Sequence, residues 1–322
     1  MRIWAEGTDI YNELMEVEKY IRKSLKTRQT ILLESVQELL DAGGKRLRPA
    51  LVLLSGQFGR YDRKKLMPIA AGIEILHMAT LVHDDIIDDA DIRRGIPTVQ
   101  AKWGKDMAVF TGDFLLTRSF SLITQNVALE NMHKLSNAMK AICEGEIDQY
   151  QHQYNLDISI NTYLKRIARK TALLFALSCR AGAEESKCSP RDTWNLWQFG
   201  KNVGMAFQIV DDILDFVGDA KIVGKPLMAD FTSGVFTLPI IYTAKDPGYK
   251  KKLKEIIEAG QFTQDELKSV QKWVHESGAM DHSKKLARRY INRAINNLKA
   301  LPAIPARDHL RELVLGLEDR EY

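Results

Sequence analysis

Apolar residues recur along most of this chain at the three-to-four-residue spacing of an amphipathic helix, and the alternating pattern of β-strands is scarce. Most of the nine prolines fall where such segments begin or end. The pattern predicts an all-α protein. The expected helices are 9–25, 29–41, 48–58, 64–89, 105–127, 131–150, 160–182, 190–217, 235–244, 249–258, 263–276, 280–299 and 306–318.

Composition narrows the class of protein. The chain has 322 residues, of which 45% are hydrophobic, without a break in composition, so one domain over residues 1–322 is expected. A net charge of only +4 argues against nucleic acid as a partner. Three cysteines without a Cys-x-x-Cys pair indicate reduced thiols. The chain also lacks a signal-peptide layout and an apolar run of roughly 18 residues. These features predict a cytoplasmic enzyme with at most peripheral membrane contact.

Five carboxylates crowd into the segment Asp84-Asp85-Ile86-Ile87-Asp88-Asp89-Ala90-Asp91. Like charges four residues apart on a helix repel each other by roughly 0.2–0.5 kcal/mol per pair, so a cation is expected to offset them. Mg²⁺ suits this role because it takes oxygen ligands from one or two carboxylates and shares the rest of its shell with phosphates. The alternative for this segment alone is a solvated acidic helix end.

Basic and imidazole side chains flank this acidic segment. His77, Leu81, Asp84 and Asp88 share one helix face within about 40°, so His77 should point the same way as the carboxylates. A lone histidine is, however, more often a satisfied core residue. Arg93 and Arg94 follow the helix, and guanidinium groups match phosphate oxygens two at a time. The pair is either half of a metal–diphosphate site or ordinary surface charge.

The segment Gly43-Gly44-Lys45-Arg46-Leu47-Arg48-Pro49 ends one helix with glycine and opens the next with proline. A helix amino terminus beside three basic residues would bind phosphate, although an ordinary basic turn is as consistent with the pattern.

Lys170 and Thr171 enter an otherwise apolar helix and therefore need partners. The acidic residues at 144, 146 and 148 either support the site from behind or form a polar helix face, and the polar face is the favoured interpretation.

A second acidic segment, Gln208-Ile209-Val210-Asp211-Asp212-Ile213-Leu214-Asp215, repeats the Asp-Asp-x-x-Asp spacing. If its helix faces the first acidic helix across a bundle, the two sets of carboxylates can hold several cations. Residues 221–236 follow as a long loop of the kind that is usually functional, with Lys225 as its basic group.

The paired Asp-Asp-x-x-Asp motifs, with Gly-Gly-Lys-Arg-x-Arg-Pro, Arg-Arg-Gly, Lys-Thr and Phe-Gln, resemble the trans-prenyltransferase (polyprenyl diphosphate synthase) family over essentially the whole chain. Residues 77–85, 94–103 and 204–208 are most similar to the catalytic large subunit of two-component heptaprenyl diphosphate synthases. The resemblance implies an isoprenoid synthase fold, in which helices surround a deep central cavity with the two Asp-rich motifs at its mouth.

The resemblance also implies roles for individual residues. Mg²⁺ on an allylic diphosphate would be bound by Asp84, Asp85, Asp88, Asp211 and Asp215. The allylic diphosphate itself would be contacted by Arg93, Lys170 and Lys225. Isopentenyl diphosphate would be held by Gly44, Lys45, Arg48, His77 and Arg94. Thr171 and Gln208 would stabilise an allylic carbocation, and the small Ala79 and Thr80 would permit a long product. Arg320 is a further candidate for the isopentenyl site.

The implied reaction joins isopentenyl diphosphate to farnesyl or geranylgeranyl diphosphate, giving a heptaprenyl chain for a quinone such as menaquinone. The implied assembly is a heterodimer with a small non-catalytic partner subunit, or else a homodimer. Three alternatives remain: a self-sufficient homodimeric synthase of another chain length, a non-catalytic regulatory relative, and a class I terpene cyclase. The loop departs from the family pattern at Leu227-Met228-Ala229, which puts its closure geometry in question.

Overall fold

The structure, a computed structural model, describes residue 4 and residues 6–217, 227–260 and 262–318. Lys225 and Arg320 lie outside the described residues. The predicted all-α class is confirmed. The helices are α1 Asp9–Ser24, α2 Thr30–Asp41, α3 Leu47–Gly56, α4 Arg63–Ile87, α5 Val99–Trp103, α6 Lys105–Thr124, α7 Leu129–Gln151, α8 Ile160–Ile167, α9 Leu173–Glu185, α10 Pro190–Val217, α11 Ala229–Thr232, α12 Leu238–Thr243, α13 Pro247–Ala259, α14 Gln264–Glu276, α15 Ala279–Lys299 and α16 Pro305–Glu318.

Two short helices, α5 and α11, were not predicted, and α11 lies within the predicted loop 221–236. A hairpin and a π-helix also differ from the predicted helices. Residues Ile92–Arg93 (β1) and Ile96–Pro97 (β2) pair antiparallel in a small hairpin that helical periodicity did not indicate. The two turn residues, Arg94 and Gly95, both have positive φ, +54° and +79°, as a type I′ turn requires. The predicted helix 160–182 is also interrupted by a π-helix at Ala168–Ala172. Both features carry predicted site residues.

The chain forms two compact units, each built from separate segments. Unit 1 comprises Met1–Ser136, Leu174–Gly200 and Asn296–Leu313, and unit 2 comprises Asn137–Leu173, Lys201–Ile295 and Val314–Tyr322. The prediction of one domain over residues 1–322 stays a prediction. The first acidic segment belongs to unit 1 and the second to unit 2.

Helix α4 is the central helix of unit 1. It is long and apolar enough to cross a membrane, but 78% of its most apolar stretch is buried inside the protein, as expected of a core helix. Helix α6 packs closely against it because Gly72 has no side chain: a Cβ there would lie 2.6 Å from Ile123 Cγ1. The Ser119 hydroxyl donates to the Gly72 carbonyl at 2.7 Å. This packing fixes the helix that carries His77 and the first acidic segment.

Unit 2 has its own apolar core, which includes Tyr163, Ile209, Ile213, Phe231 and Phe236. The carboxyl-terminal half of α10 presents Ile209, Val210 and Ile213 to this core, and all three are fully buried. The second acidic segment therefore lies on a helix that is anchored on its apolar side.

The cysteines are free, as expected, with Cys179 buried and Cys143 exposed.

Candidate active site

The basic turn between α2 and α3 in unit 1 brings arginine side chains against a glycine. Gly43 and Arg46 both have left-handed backbone, with φ of +69° and +49°. A Cβ on Gly44 would lie 3.2 Å from Arg94 Nη1 and 3.0 Å from Arg46 Nη1. The Arg94 guanidinium also donates to the Gly43 carbonyl. The absence of a side chain at Gly44 thus allows Arg94, which comes from the hairpin, to approach the turn.

Arg46 has a structural role within this turn. Its guanidinium is buried and donates to Glu18 Oε2 at 2.7 Å and to Glu74 Oε1 at 2.9 Å. It therefore ties the turn to α1 and α4, and its charge is already balanced by protein carboxylates. Of the basic residues in the turn, Lys45 is exposed and Arg48 is half-buried over the Phe175 ring, 4.6 Å from its centroid.

Replacing Arg46 with methionine should lower the free energy of unfolding by about 3 kcal/mol, because it leaves the buried carboxylate of Glu74 without its arginine partner. Urea unfolding at equilibrium measures this change as a shift in midpoint. The matched control is Arg22→Met, which removes an exposed arginine that contacts Glu18 and Asp41, and it should cost less than about 1 kcal/mol. Equal losses in the two variants would contradict the structural role of Arg46.

A cavity in unit 1 brings His77 together with the hairpin arginines. Its lining includes Glu74, His77, Asp85, Arg93 and Arg94. Burial lowers the pKa of His77 well below its usual range, and the nearby arginine charges, that of Arg48 first, lower the pKa further. His77 is therefore neutral at physiological pH and can offer an N–H to an anion without carrying a charge of its own. The predicted grouping of His77 with Arg94 is present in the structure.

The first acidic segment divides into members with different surroundings. Asp85 is buried, and its Oδ1 accepts from Arg93 Nε at 2.6 Å. Burial raises the pKa of Asp85, while the Arg93 charge opposes this rise. Asp84 is half-buried and Asp88, the residue after the last turn of α4, is exposed. It is thus Asp85, and not Asp84, that lines the cavity with His77.

Carboxylate oxygens are the donors that Mg²⁺ prefers, and Asp84 and Asp88 offer them one helical turn apart at the end of α4. Among the described residues, no three histidine, cysteine, aspartate or glutamate side chains lie close enough together to hold a metal by themselves. Because Mg²⁺ usually takes one or two protein carboxylates and completes its shell with water and phosphate oxygens, this donor set fits Mg²⁺ arriving with a diphosphate.

The π-helix of unit 2 presents Arg169 and Lys170 to acidic residues of α7. Lys170 Nζ lies 2.8 Å from Glu146 Oε2, and Arg169 Nη1 lies 2.6 Å from Asp148 Oδ2. The two segments approach closely at Gly145, where a Cβ would lie 2.9 Å from Arg169 Cβ. Single-turn π-helices are frequent at functional sites because they re-aim side chains within a helix. Here the π-helix positions the two neighbouring cations on separate carboxylates.

Thr171 and Gln208, which were predicted to act together, are in direct contact. The Thr171 hydroxyl donates to Gln208 Oε1 at 2.7 Å. Gln208 Nε2 in turn donates to Asp212 Oδ1 at 2.8 Å, and the Tyr163 hydroxyl donates to Asp212 Oδ2 at 2.5 Å. Burial, assisted by the charge of Asp230, raises the pKa of Asp212 to about 7, while these two hydrogen bonds oppose the rise.

The other aspartates of the second acidic segment differ in exposure. Asp211 is half-buried, whereas Asp215 is fully buried and its Oδ2 accepts from the Asp230 backbone N–H at 3.4 Å. Asp211 is therefore the more accessible of the two carboxylates. The roles of both as Mg²⁺ ligands stay predictions.

Sequence reasoning missed two participants of the unit 2 site. Glu146 was interpreted as part of a polar face, but it pairs with Lys170. Tyr163 is absent from the predicted site residues, yet it is fully buried and donates a hydrogen bond to Asp212 in the second acidic segment. The spacing that places Tyr163 two turns ahead of Thr171 on one helical run was the available signal. This spacing alone does not identify Tyr163 as a site residue, because the carboxylate that it contacts, Asp212, lies on another helix.

The all-α fold agrees with the class of protein that the chain matches in sequence. A family model described as polyprenyl synthetase matches residues 29–274. Heptaprenyl diphosphate synthase component 2 of Bacillus subtilis is 39% identical over 306 residues, 95% of this chain and 87% of that protein. Geranylgeranyl diphosphate synthase of Methanosarcina mazei is 32% identical over 320 residues, 98% of each chain.

Solved structures agree with these matches. Heptaprenyl diphosphate synthase from Staphylococcus aureus superposes with a TM-score of 0.93 at 35% identity, over 97% of this chain and 99% of that one. Polyprenyl synthase from Caulobacter crescentus, in complex with calcium and isoprenyl diphosphate, gives 0.92 at 31% identity, over 97% and 96%. The chain belongs to the polyprenyl synthetase family, with the all-α isoprenoid synthase fold, and is a trans-prenyl diphosphate synthase.

Proposed function

We propose that the protein is a Mg²⁺-dependent long-chain synthase that extends farnesyl or geranylgeranyl diphosphate with isopentenyl units to heptaprenyl diphosphate. The observation that carries the proposal is the cavity of unit 1, where neutral His77, Arg93 and Arg94 converge beside a buried aspartate. Such a group suits a diphosphate. The similarity to heptaprenyl synthases supports this chain length, although geranylgeranyl synthases are also similar.

The isopentenyl diphosphate is assigned to the basic turn and the hairpin. Arg94, placed over Gly44, offers a guanidinium fork to phosphate oxygens, and Arg48 and Lys45 add positive charge on the side of α3. Neutral His77 supplies a hydrogen bond without adding to the repulsion among these cations. The role of Arg46 differs, since its guanidinium is already paired with two carboxylates.

The allylic diphosphate is assigned to Arg93 and Lys170, with Lys225 as a third predicted contact outside the described residues. Asp84, Asp88 and Asp211 are the proposed Mg²⁺ ligands, with Asp85 and Asp215 in support. Mg²⁺ bound there would neutralise the charge that develops on the departing diphosphate. Arg93, already held by Asp85 at 2.6 Å, would be oriented before substrate arrives.

The reaction proceeds by ionisation, condensation and elimination. The allylic carbon–oxygen bond breaks, and the electron pair leaves with the diphosphate. The double bond of isopentenyl diphosphate then forms the new carbon–carbon bond to the allylic cation, which leaves a tertiary cation at C3 of the isopentenyl unit. A C–H bond at C2 breaks, its electron pair forms the new double bond, and the proton passes to an oxygen of the departed diphosphate. The oxygen atoms of Thr171 and Gln208 stabilise the cation through their dipoles, and no side chain is assigned as general base.

The proposed assembly is two-component: the chain supplies the catalytic machinery in the cytoplasm and a small non-catalytic subunit is needed for full activity. The names of the similar Bacillus and Geobacillus proteins, component 2, support this proposal. The test incubates the purified chain with labelled isopentenyl diphosphate and an allylic primer, with and without the candidate partner. Strong incorporation only with the partner is expected. Full activity of the chain alone would instead favour a self-sufficient homodimer.

Product length should depend on the residue one turn before Asp84. Thr80 is half-buried and its hydroxyl donates to the His77 carbonyl at 2.8 Å, so phenylalanine there would fill space beside the helix that carries the metal ligands. Thr80→Phe is expected to shorten the major product, as measured by chromatography of the dephosphorylated prenols. Ala79→Phe should do the same. Because Ala79 is fully buried, its replacement should also cost about 1–3 kcal/mol of stability through overpacking.

The control for this prediction is Thr80→Val, which removes the hydroxyl while keeping the size of the side chain. It should leave product length unchanged. Unaltered product length in both phenylalanine variants would mean that other residues limit how long the product can grow.

A further inference from the structure

We infer that Asp212 and Tyr163 are positioning residues that fix the side-chain amide of Gln208, so that its oxygen, and not its nitrogen, faces the allylic cation. The inference rests on the proposed function, because the cation exists only in that reaction. The residues are joined in one chain of hydrogen bonds, from Tyr163 and Gln208 to Asp212 and from Thr171 to Gln208.

The direction of these hydrogen bonds follows from the chemistry of the groups. An amide has donors only on nitrogen and an acceptor only on oxygen, and the ionised form of Asp212, which the hydrogen bonds from Tyr163 and Gln208 favour, only accepts. Asp212 Oδ1, 2.8 Å from Gln208 Nε2, therefore selects the amide orientation in which Nε2 points to Asp212. The opposite end, Oε1, then accepts from Thr171 at 2.7 Å and keeps a second lone pair. Rotating the amide by half a turn would break the contact with Asp212 and bring two acceptor oxygens together, while the Thr171 hydroxyl would change from donor to acceptor.

Tyr163 and Asp212, which hold this series of hydrogen bonds in place, are both buried. Tyr163 is fully buried, and Asp212 is only 2% exposed. Each oxygen of Asp212 already accepts a hydrogen bond from protein, Oδ2 from Tyr163 at 2.5 Å and Oδ1 from Gln208. Its burial and its two hydrogen bonds distinguish Asp212 from the adjacent Asp211, which is half-buried and remains a proposed metal ligand. The second acidic segment thus contains one aspartate that orients a catalytic side chain.

The consequence for catalysis is electrostatic. An amide oxygen aimed at a carbocation stabilises it, whereas an amide N–H in the same place repels it, so orientation decides the sign of the effect. Loss of a preorganised dipole typically costs about 10²-fold in kcat. Asp212→Asn should approach this loss, since asparagine can present a donor to Gln208 and permit the rotated amide. Tyr163→Phe, which frees one carboxylate oxygen, should cost about 10-fold.

The kinetic test is a double-mutant cycle with Gln208→Ala, using kcat for labelled isopentenyl diphosphate in the presence of any required partner. If Tyr163 acts through Gln208, Tyr163→Phe lowers kcat in the wild-type background and has no further effect once Gln208 is alanine. KM for both diphosphates and the Mg²⁺ concentration for half-maximal rate should stay unchanged. Additive losses, or a raised Mg²⁺ requirement in Asp212→Asn, would overturn the inference.

The matched control is Tyr61→Phe, which also removes a tyrosine-to-carboxylate hydrogen bond, 2.7 Å to Glu13, but has no link to Gln208. Its kcat should match that of the wild type, whereas a loss equal to that of Tyr163→Phe would count against the inference. A second measurement does not depend on turnover: the side-chain amide signal of Gln208 in ¹⁵N-glutamine-labelled protein. It should shift in Asp212→Asn and Tyr163→Phe but not in Tyr61→Phe. An unmoved signal would overturn the positioning role even if the proposed reaction failed.

Discussion

Replacing Asp84 with asparagine should lower kcat by about 10³-fold or more at saturating substrates and Mg²⁺, because it removes a proposed ligand of the metal that neutralises the leaving diphosphate. Asparagine keeps the size of the side chain but loses its charge. Asp84 lies in the last turn of α4, whose apolar side is buried in unit 1, so the variant should retain its fold. Steady-state kinetics over a range of Mg²⁺ concentrations measure both the loss of kcat and any weakened metal binding.

The control is Asp89→Asn within the same acidic segment. The Asp89 side chain is 77% exposed and pairs with Lys105 at 2.8 Å. Its φ is +50°, a conformation that asparagine tolerates well. This variant should retain kcat to within about a factor of two, since an exposed ion pair contributes little. If Asp84→Asn kept most of its activity, or Asp89→Asn lost as much, the assignment of metal ligands within this segment would be wrong.

Replacing Lys170 with glutamine should lower kcat by about 10²–10³-fold, because its ammonium group is assigned to the allylic diphosphate as negative charge develops there. The structure holds Lys170 on the π-helix against Glu146 at 2.8 Å, so the charge is positioned before substrate binds. Glutamine retains hydrogen-bonding capacity but is uncharged and one bond shorter than lysine. Rapid-quench measurement of a single turnover would assign the loss to the chemical step.

The adjacent residue supplies the comparison. Arg169→Gln removes a cation from the same π-helix, one that pairs with Asp148 at 2.6 Å with both side chains more than one-third exposed. Its effect on kcat should be less than about threefold, as expected for an exposed ion pair. Similar losses at both positions would indicate disturbance of the π-helix itself, and not the loss of a diphosphate contact.

The fold class could be predicted from sequence because helical periodicity dominates the chain. The predicted segment 64–89 corresponds to α4, Arg63–Ile87, and the predicted 9–25 to α1, Asp9–Ser24. The hairpin at residues 92–97 escaped prediction because its strands have two residues each, too few for an alternating pattern. The π-helix escaped because one extra residue per turn leaves the apolar spacing on either side almost unchanged.

The candidate site was predictable in its residue types but not in its pairings. Helical spacing indicated that His77 shares a face with Asp84, yet the structure places Asp85 in the cavity because Arg93 folds back onto it through the hairpin. Likewise Arg46 looked like a phosphate ligand until Glu18 and Glu74 were located beside it. Such pairings join residues from different elements, and a single sequence contains no information on which elements meet.

Mass spectrometry of the product formed from farnesyl diphosphate and isopentenyl diphosphate, with Mg²⁺ and the candidate partner, tests directly whether the chain is a long-chain prenyl diphosphate synthase. The expected products are linear prenyl diphosphates longer than the primer by whole isoprene units, with heptaprenyl diphosphate dominant, and no product should form when Mg²⁺ is chelated. A cyclised hydrocarbon released from farnesyl diphosphate alone, or no incorporation of isopentenyl units with any allylic primer, would contradict this function.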